Sequence, residues 1–143
     1  MTFHVTPGYA DTALDLLGYS QAVRIGDRVE TSGQGGWDDD LVIPVSLEDE
    51  IVQAFDNVGR TLAEAGASWE DVVHVNSYHK VPPADGAIGD DHNRMMVRQF
   101  RERLGGRAPV WTQTGVTALG LAAMRVEIRA TAVVPDTPGA AEG

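Results

Sequence analysis

The sequence contains no cysteine, which excludes a disulfide framework, a thiolate nucleophile and a Cys-ligated metal. A reducing, cytoplasmic setting is the simplest expectation. Cations are scarce as well: 11 lysines and arginines face 21 acids, for a net charge of −10. That imbalance repels phosphate backbones and anionic lipid, so neither nucleic acid nor a membrane surface is an expected partner. No run approaches the ~20 apolar residues of a membrane span, and no basic segment precedes an apolar stretch, so the chain reads as soluble and unprocessed. Aromatics make up only 6% of residues, and no basic-aromatic surface of the kind that binds single-stranded RNA stands out.

What is present suits one domain. The 143 residues are 43% hydrophobic, enough to bury roughly two-thirds of the unfolded surface. Residues 1–17 lack a sustained period and are expected to form an irregular lead-in; a single domain follows over 18–134, and 135–143, rich in Pro, Ala and Gly, is expected to be a flexible tail. Tyr19 to Ile25 and Arg28 to Gly33 are strand-like and separated by Gly26-Asp27, which predicts a β-hairpin with Ile25 opposite Arg28, Val23 opposite Glu30 and Gln21 opposite Ser32. Ser46 is a good N-cap, acids fill the next turn, and Leu47, Ile51, Ala54, Phe55, Val58, Leu62 and Ala65 form a helical stripe that Gly66 ends. Val72 to His79 reads as a strand, Ala87 to Leu104 as a weaker helix, and Val110 to Ala118 and Met124 to Val134 as closing strands. The order predicts an α+β fold, a mixed sheet with two helices on one face.

The last strand alternates cleanly, with Val126, Ile128, Ala130 and Ala132 on one side and Arg125, Glu127, Arg129 and Thr131 on the other. Glu127 is therefore either an ion-paired strand residue or a carboxylate available for chemistry; pairing with Arg125 or Arg129 would keep it ionised. The face opposite the helices is expected to carry Tyr19, Ser32, Trp111, Gln113 and Glu127. That mixture is too polar for a core and too aromatic for plain solvation, and a subunit interface containing a pocket would accommodate it. His74 and His79 read as surface or strand-end histidines. Asp38-Asp39-Asp40 reads as a solvated loop and Asp90-Asp91-His92 as helix-start acids, so no metal site is expected. Gly33-Gln34-Gly35-Gly36 follows a strand but opens no helix, which removes a phosphate-cradle reading.

Several segments taken together resemble the RidA/YjgF family: Gly18-Tyr19-Ser20-Gln21-Ala22-Val23, Thr31-Ser32-Gly33-Gln34, Asp56-Asn57-Val58, Ala65-Gly66-Ala67-Ser68-Trp69-Glu70-Asp71-Val72 and Val126-Glu127-Ile128. The resemblance implies a chorismate-mutase-like fold and a homotrimer whose sheets form an inner barrel with pockets between subunits. It also implies hydrolysis of reactive enamines and imines to a keto acid and ammonia, without a cofactor. Tyr19 and Ser32 would then line the pocket, Asn93 would reach it from the second helix, and Glu127 would position or activate water.

One departure matters. Deaminating members carry a carboxylate-clamping arginine where this chain has Trp111, which offers one neutral donor and a broad apolar surface instead of two charge-assisted bonds. With Gln113 beside it, Trp111 re-aims the expected pocket at a ligand bulkier and less anionic than 2-aminoacrylate; packing at the trimer interface is its alternative role. The rival readings of the whole chain are a non-catalytic trimer that binds a small molecule for sensing or delivery, and an RNA-cleaving relative, which the charge opposes.

Overall fold

Gly26, at φ +61°, and Asp27 turn the chain between β2 (Ala22–Ile25) and β3 (Arg28–Thr31), and the register follows from a two-residue loop: Ile25 faces Arg28 and Val23 faces Glu30. One step beyond, the Ser32 amide donates to the Gln21 carbonyl at 2.7 Å. The computed structural model describes residues 1–82, 84 and 86–135, so the tail expected over 135–143 lies, beyond Pro135, outside the described residues.

The hairpin is part of a sheet ordered β1-β2-β3-β7-β5-β6, where β1 is Thr2–His4, β5 is Val72–Lys80, β6 is Val110–Val116 and β7 is Val126–Val133. A short β4, Gln34–Gly35, also pairs with β7. Among the described residues β5 and β6 run parallel and the other pairs antiparallel, so the sheet is mixed, as expected. The helices are α1 (Asp11–Leu17), α2 (Leu47–Glu64) and α3 (Asp90–Arg103).

Helix α2 begins as predicted: the Ser46 hydroxyl accepts from the Asp49 amide at 3.0 Å, and Glu48, Asp49 and Glu50 occupy the positive end of the helix dipole. Its stripe of Ile51, Ala54, Phe55, Val58 and Leu62 is fully buried against Val126, Ile128, Ala130 and Ala132 of β7. A 3₁₀ turn, Trp69–Asp71, lays Trp69 against Phe55 with ring centroids 4.8 Å apart. Helix α3 starts at Asp90 rather than Ala87 and buries Met96, Gln99 and Phe100.

Three expectations are corrected. The lead-in is not irregular: Thr2–His4 adds a strand beside β2, and Asp11–Leu17 is a third helix. Seven residues are too few to display a helical period, and α1 is held by its tethers instead: Thr6 to Thr61 at 2.6 Å, Tyr9 to Gln34 at 2.6 Å and Arg60 to the Pro7 carbonyl at 2.7 Å. Second, Trp111 and Gln113 do not share a face with Glu127. The register sets Trp111 opposite Val75 and Gln113 opposite Ser77, while Ser77 faces Ile128, so both lie on the helix-covered side. Third, His79 is no surface residue; it is fully buried.

Candidate functional site

Strand β7 presents Glu127 on the face away from α2 and α3, opposite Tyr78 of β5 and Gly35 of β4. Beside it is a cavity of about 310 Å³ lined by Tyr19, Gln21, Gly33 and Glu127, with Leu16 and Leu17 of α1 on one side and the buried group Tyr9, Trp37 and Met124 on another. The glycine-rich run explains how the cavity is assembled. A Cβ on Gly33 would stand 2.6 Å from the Glu127 carboxyl carbon, and one on Gly35 would stand 2.6 Å from both the Trp37 ring and the Met124 methyl group. These glycines are needed because side chains approach the backbone closely.

Neither flanking arginine pairs with Glu127. The Arg125 Nε donates to Glu50 at 2.6 Å, and Arg129 approaches Glu30 at 3.5 Å. Among the described residues the Glu127 carboxyl makes no hydrogen bond or ion pair, and its burial raises its pKa above the ordinary glutamate value. Of the two readings the sequence leaves open, the arginine-paired one is therefore not the arrangement found, and this group takes up a proton more readily than an exposed glutamate.

Tyr19 and Gln21 line the cavity, and Ser32 joins it through a buried network. The Tyr9 hydroxyl donates to Gln34 Oε1 at 2.6 Å, while Gln34 Nε2 donates to Gln21 Oε1 at 2.7 Å and to the Ser32 hydroxyl at 3.1 Å. Burial raises the Tyr9 pKa, so its hydroxyl stays a donor.

The other three expected residues form a separate cluster at the edge strand β6. The Trp111 indole N–H donates to Ser77 Oγ at 2.9 Å, and its ring meets Phe100 edge-on at 5.1 Å. Gln113 donates to Asn93 Oδ1 at 2.6 Å. Beneath them Ser77 Oγ lies 2.8 Å from His79 Nε2, and His79 Nδ1 lies 2.9 Å from His92 Nδ1. Desolvation and the neighbouring His92 lower the His79 pKa to about 4, so at neutral pH both sides of this chain of bonds are uncharged. Within one chain, then, Glu127 and Tyr19 line one cavity and Ser32 is bonded to its wall through Gln34, whereas Asn93, Trp111 and Gln113 lie on the opposite face of the sheet.

Reading the sequence missed Tyr9, Trp37 and the leucines of α1. The only available signal was Trp37, a large apolar residue directly after Gly35-Gly36 in a stretch that otherwise reads as loop. The acids at 38–40 are exposed and serve turns: Asp38 caps the Asp40 and Val42 amides at 2.9 Å each, and Asp39 pairs with Arg60 at 3.2 Å. Among the described residues no group of three or more His, Asp or Glu side chains could hold a metal ion, and no helix is long and apolar enough to cross a membrane.

The fold is a mixed sheet backed by helices, and among the described residues it sets one unpaired carboxyl beside a largely apolar cavity. The comparisons give that fold a family. The family model described as Endoribonuclease L-PSP matches residues 12–134. The RutC family protein YjgH of Escherichia coli is 32% identical over 118 residues, which are 82% of this chain and 84% of that protein. A 2-iminobutanoate/2-iminopropanoate deaminase of Dermatophagoides farinae is 34% identical over 118 residues, covering 81% of this chain and 85% of the relative. The solved structure of YjgH superposes with a TM-score of 0.75 at 28% identity, across 96% of this chain and 98% of that one. The chain belongs to the RidA/YjgF family.

Proposed function

We propose that this protein is a RidA-like hydrolase that converts an imine or enamine to the corresponding carbonyl compound and ammonia, with Glu127 as the acid–base group. The observation that carries this reading is the unpaired Glu127 carboxyl in an apolar cavity, its pKa raised by burial. Imine hydrolysis requires one group that can give and then take a proton, and burial makes the Glu127 carboxyl hold its proton more readily than an exposed glutamate does. The protonated carboxyl donates to the imine nitrogen, which sharpens the carbon as an electrophile. The carboxylate so formed takes a proton from the attacking water as the C–O bond forms. Returning that proton to nitrogen lets the C–N bond break and ammonia leave, while the hydroxyl proton of the intermediate passes to the carboxylate, which gives the carbonyl product and restores the protonated carboxyl.

The name of the deaminase relative supports the reaction class. The substrate differs: with Trp111 at the clamp position and held by Ser77 and Phe100, the substrate is bulkier and less anionic than 2-aminoacrylate. A homotrimer is part of the same proposal. Asn93, Trp111 and Gln113 lie along the free edge of β6, where a neighbour's Glu127 face can meet them. The uncovered sheet face also leaves Phe3 60% exposed, apolar surface that a packed neighbour would cover.

The test is ammonia release by the purified protein from imines generated in situ, comparing 2-iminopropanoate with imines of larger uncharged ketones. Faster turnover of the larger imines supports the reading. Efficient turnover of 2-iminopropanoate alone would remove the substrate assignment, and a tightly bound ligand recovered chemically unaltered would point to the non-catalytic binding module.

A further inference from the structure

A line of hydrogen bonds runs beneath the edge strand and takes no part in the chemistry assigned to Glu127. The Trp111 indole N–H donates to Ser77 Oγ at 2.9 Å, Ser77 Oγ lies 2.8 Å from His79 Nε2, and His79 Nδ1 lies 2.9 Å from His92 Nδ1. Ser77 and His79 are fully buried within a single chain, so a neighbouring subunit does not change their partners. Each contact holds one proton, and the indole can only donate. With the His79 proton on Nδ1, that N–H donates to His92 Nδ1, and Nε2 accepts from the Ser77 hydroxyl, whose oxygen takes the indole N–H. Every group is then satisfied, and His92 carries its own proton on Nε2. In the reverse order His92 donates to His79 and His79 Nε2–H donates to Ser77. The Ser77 oxygen then accepts twice, while its own proton has no other acceptor among the described residues. A buried hydroxyl stranded in this way is costly, which selects the first direction.

That direction has consequences at both ends. At Trp111 the N–H is spent inward, and with Phe100 edge-on at 5.1 Å the half-buried ring offers hydrocarbon at the β6 edge in place of a donor. At the other end half-buried His92 lines a cavity of about 500 Å³ with Lys80, Asp91 and Arg125. A proton taken up by His92 puts N–H on both ring nitrogens, so Nδ1 must donate to His79 and the line must turn round. Ser77 then donates to nothing and divides its oxygen between His79 and the indole, which weakens the bond on Trp111. Among the described residues the charged groups about His92 are Asp91 of its own helix, Glu50 of α2, Arg125 ahead of β7 and Lys80 of β5. Burial lowers the His92 pKa below the ordinary histidine value, against Asp91 and Glu50 and with Arg125.

We propose that Ser77, His79 and His92 are positioning residues for the ligand site at the β6 edge: they hold Trp111 with its N–H turned inward, so that a ligand meets an apolar ring, and a proton on His92 loosens that hold. The inference rests on the hydrolase reading of Trp111 as a specificity residue and adds what fixes it in place. Acidification then weakens ligand binding through Trp111, separately from any change at Glu127.

The test follows the three indole N–H signals of the isotope-labelled full chain by NMR between about pH 8 and about pH 5, the Trp111 signal being assigned by its loss in Trp111→Phe. At neutral pH the ring nitrogens are expected to show the Nδ1–H form of His79 and the Nε2–H form of His92. As His92 takes up a proton, the Trp111 indole proton is expected to move upfield with the same midpoint, while that of Trp69, bonded to the Phe55 carbonyl at 2.9 Å, stays in place. His92→Asn keeps an acceptor for the His79 N–H but cannot be protonated, so its Trp111 signal is expected to hold still across the range. On the preferred imine at about pH 5.5, the wild-type KM is expected to exceed that of His92→Asn by about fivefold with kcat unchanged, and at about pH 8 the two should agree. Both proteins carry Glu127, so its own titration cancels in the comparison. A Trp111 signal that stays put at every pH at which circular dichroism shows the protein folded would overturn the proposal. So would His79 with its proton on Nε2 at neutral pH, or a His92→Asn protein that titrates like wild type. Failure of the hydrolase reading is separately visible. Glu127-dependent ammonia release with an indole that ignores His92 would keep the chemistry and remove the support. An indole that tracks His92 in a protein whose Trp111→Ala variant keeps the wild-type KM would keep the line of bonds and remove its role in specificity.

Discussion

Gly33→Ala separates the site from the fold. The added Cβ would stand 2.6 Å from the Glu127 carboxyl carbon, 2.7 Å from Oε2 and 2.9 Å from Cγ, whereas ordinary contact begins at 3.4 Å, so the carboxyl must retreat by about 0.8 Å. Those atoms are the mobile end of a side chain, and Gly33 has no left-handed backbone that alanine would strain. The fold therefore yields at Glu127 and the melting temperature should move by a few degrees at most, about the shift that 1 kcal/mol produces in a domain of this size. Catalysis is less forgiving: a displacement of about 1 Å in a reacting group lowers turnover by about 100-fold. The assay is ammonia release from the preferred imine, paired with a thermal melt. Gly36→Ala is the contrast, because its Cβ would run into the Glu50 backbone carbonyl, which cannot step aside, and it should lose stability instead. A Gly33→Ala protein with wild-type turnover would refute the placement of chemistry at Glu127; one that fails to fold would refute the argument that the Glu127 side chain yields in place of the backbone.

Stability measurements carry the other predictions. Burial raises the Glu127 pKa, so its contribution to folding is full below the unfolded glutamate value and is lost as pH rises through the folded one. Glu127→Gln should accordingly be more stable than wild type at pH 7, by about 1.4 kcal/mol for each unit of the shift, with the gap closing in urea titrations near pH 4. His79 has the opposite sign: with its pKa lowered to about 4, its stabilising share is present above pH 6.5 and is lost as pH falls toward 4. That share is about 3 kcal/mol, and His79→Asn should flatten this part of the pH–stability curve as followed by circular dichroism. Glu50 is fully buried and accepts from the Arg125 amide and Nε and from the Val126 amide, so Glu50→Ala should cost about 3–5 kcal/mol in a denaturant melt by stranding those donors.

Much of the architecture is legible in residues whose pattern is their own. Gly26-Asp27 dictates the hairpin register, Ser46 and the stripe below it dictate α2, and the strict alternation of β7 dictates which way Glu127 faces. The errors arose where tertiary partners decide. Gln113 and Ser77 look like solvent-facing strand residues, yet each is held on the helix side by a bond to Asn93 or to His79 and Trp111. Because β6 is an edge strand without an apolar set, nothing in its sequence announces its inner face. Helix α1 is short, β4 is shorter, and both exist through contacts with α2 and β7, so neither leaves a periodic trace. Resemblance to the family pointed to Glu127, Tyr19 and Ser32 as pocket residues; Glu127 and Tyr19 line one cavity, and Ser32 is tied to its wall through Gln34 and Gln21. Nothing in the resemblance pointed to Trp37 or the leucines of α1, which line the same cavity.

The central claim is that Glu127 moves the protons of imine hydrolysis. The direct measurement is the rate of ammonia release by Glu127→Gln against wild type, on the same imine and at the same pH, with the oligomeric mass of both checked by light scattering. A positioned acid–base group contributes about 100- to 10,000-fold, so the variant should fall by at least about 100-fold while keeping its mass and secondary structure. A variant within twofold of wild type would contradict the account.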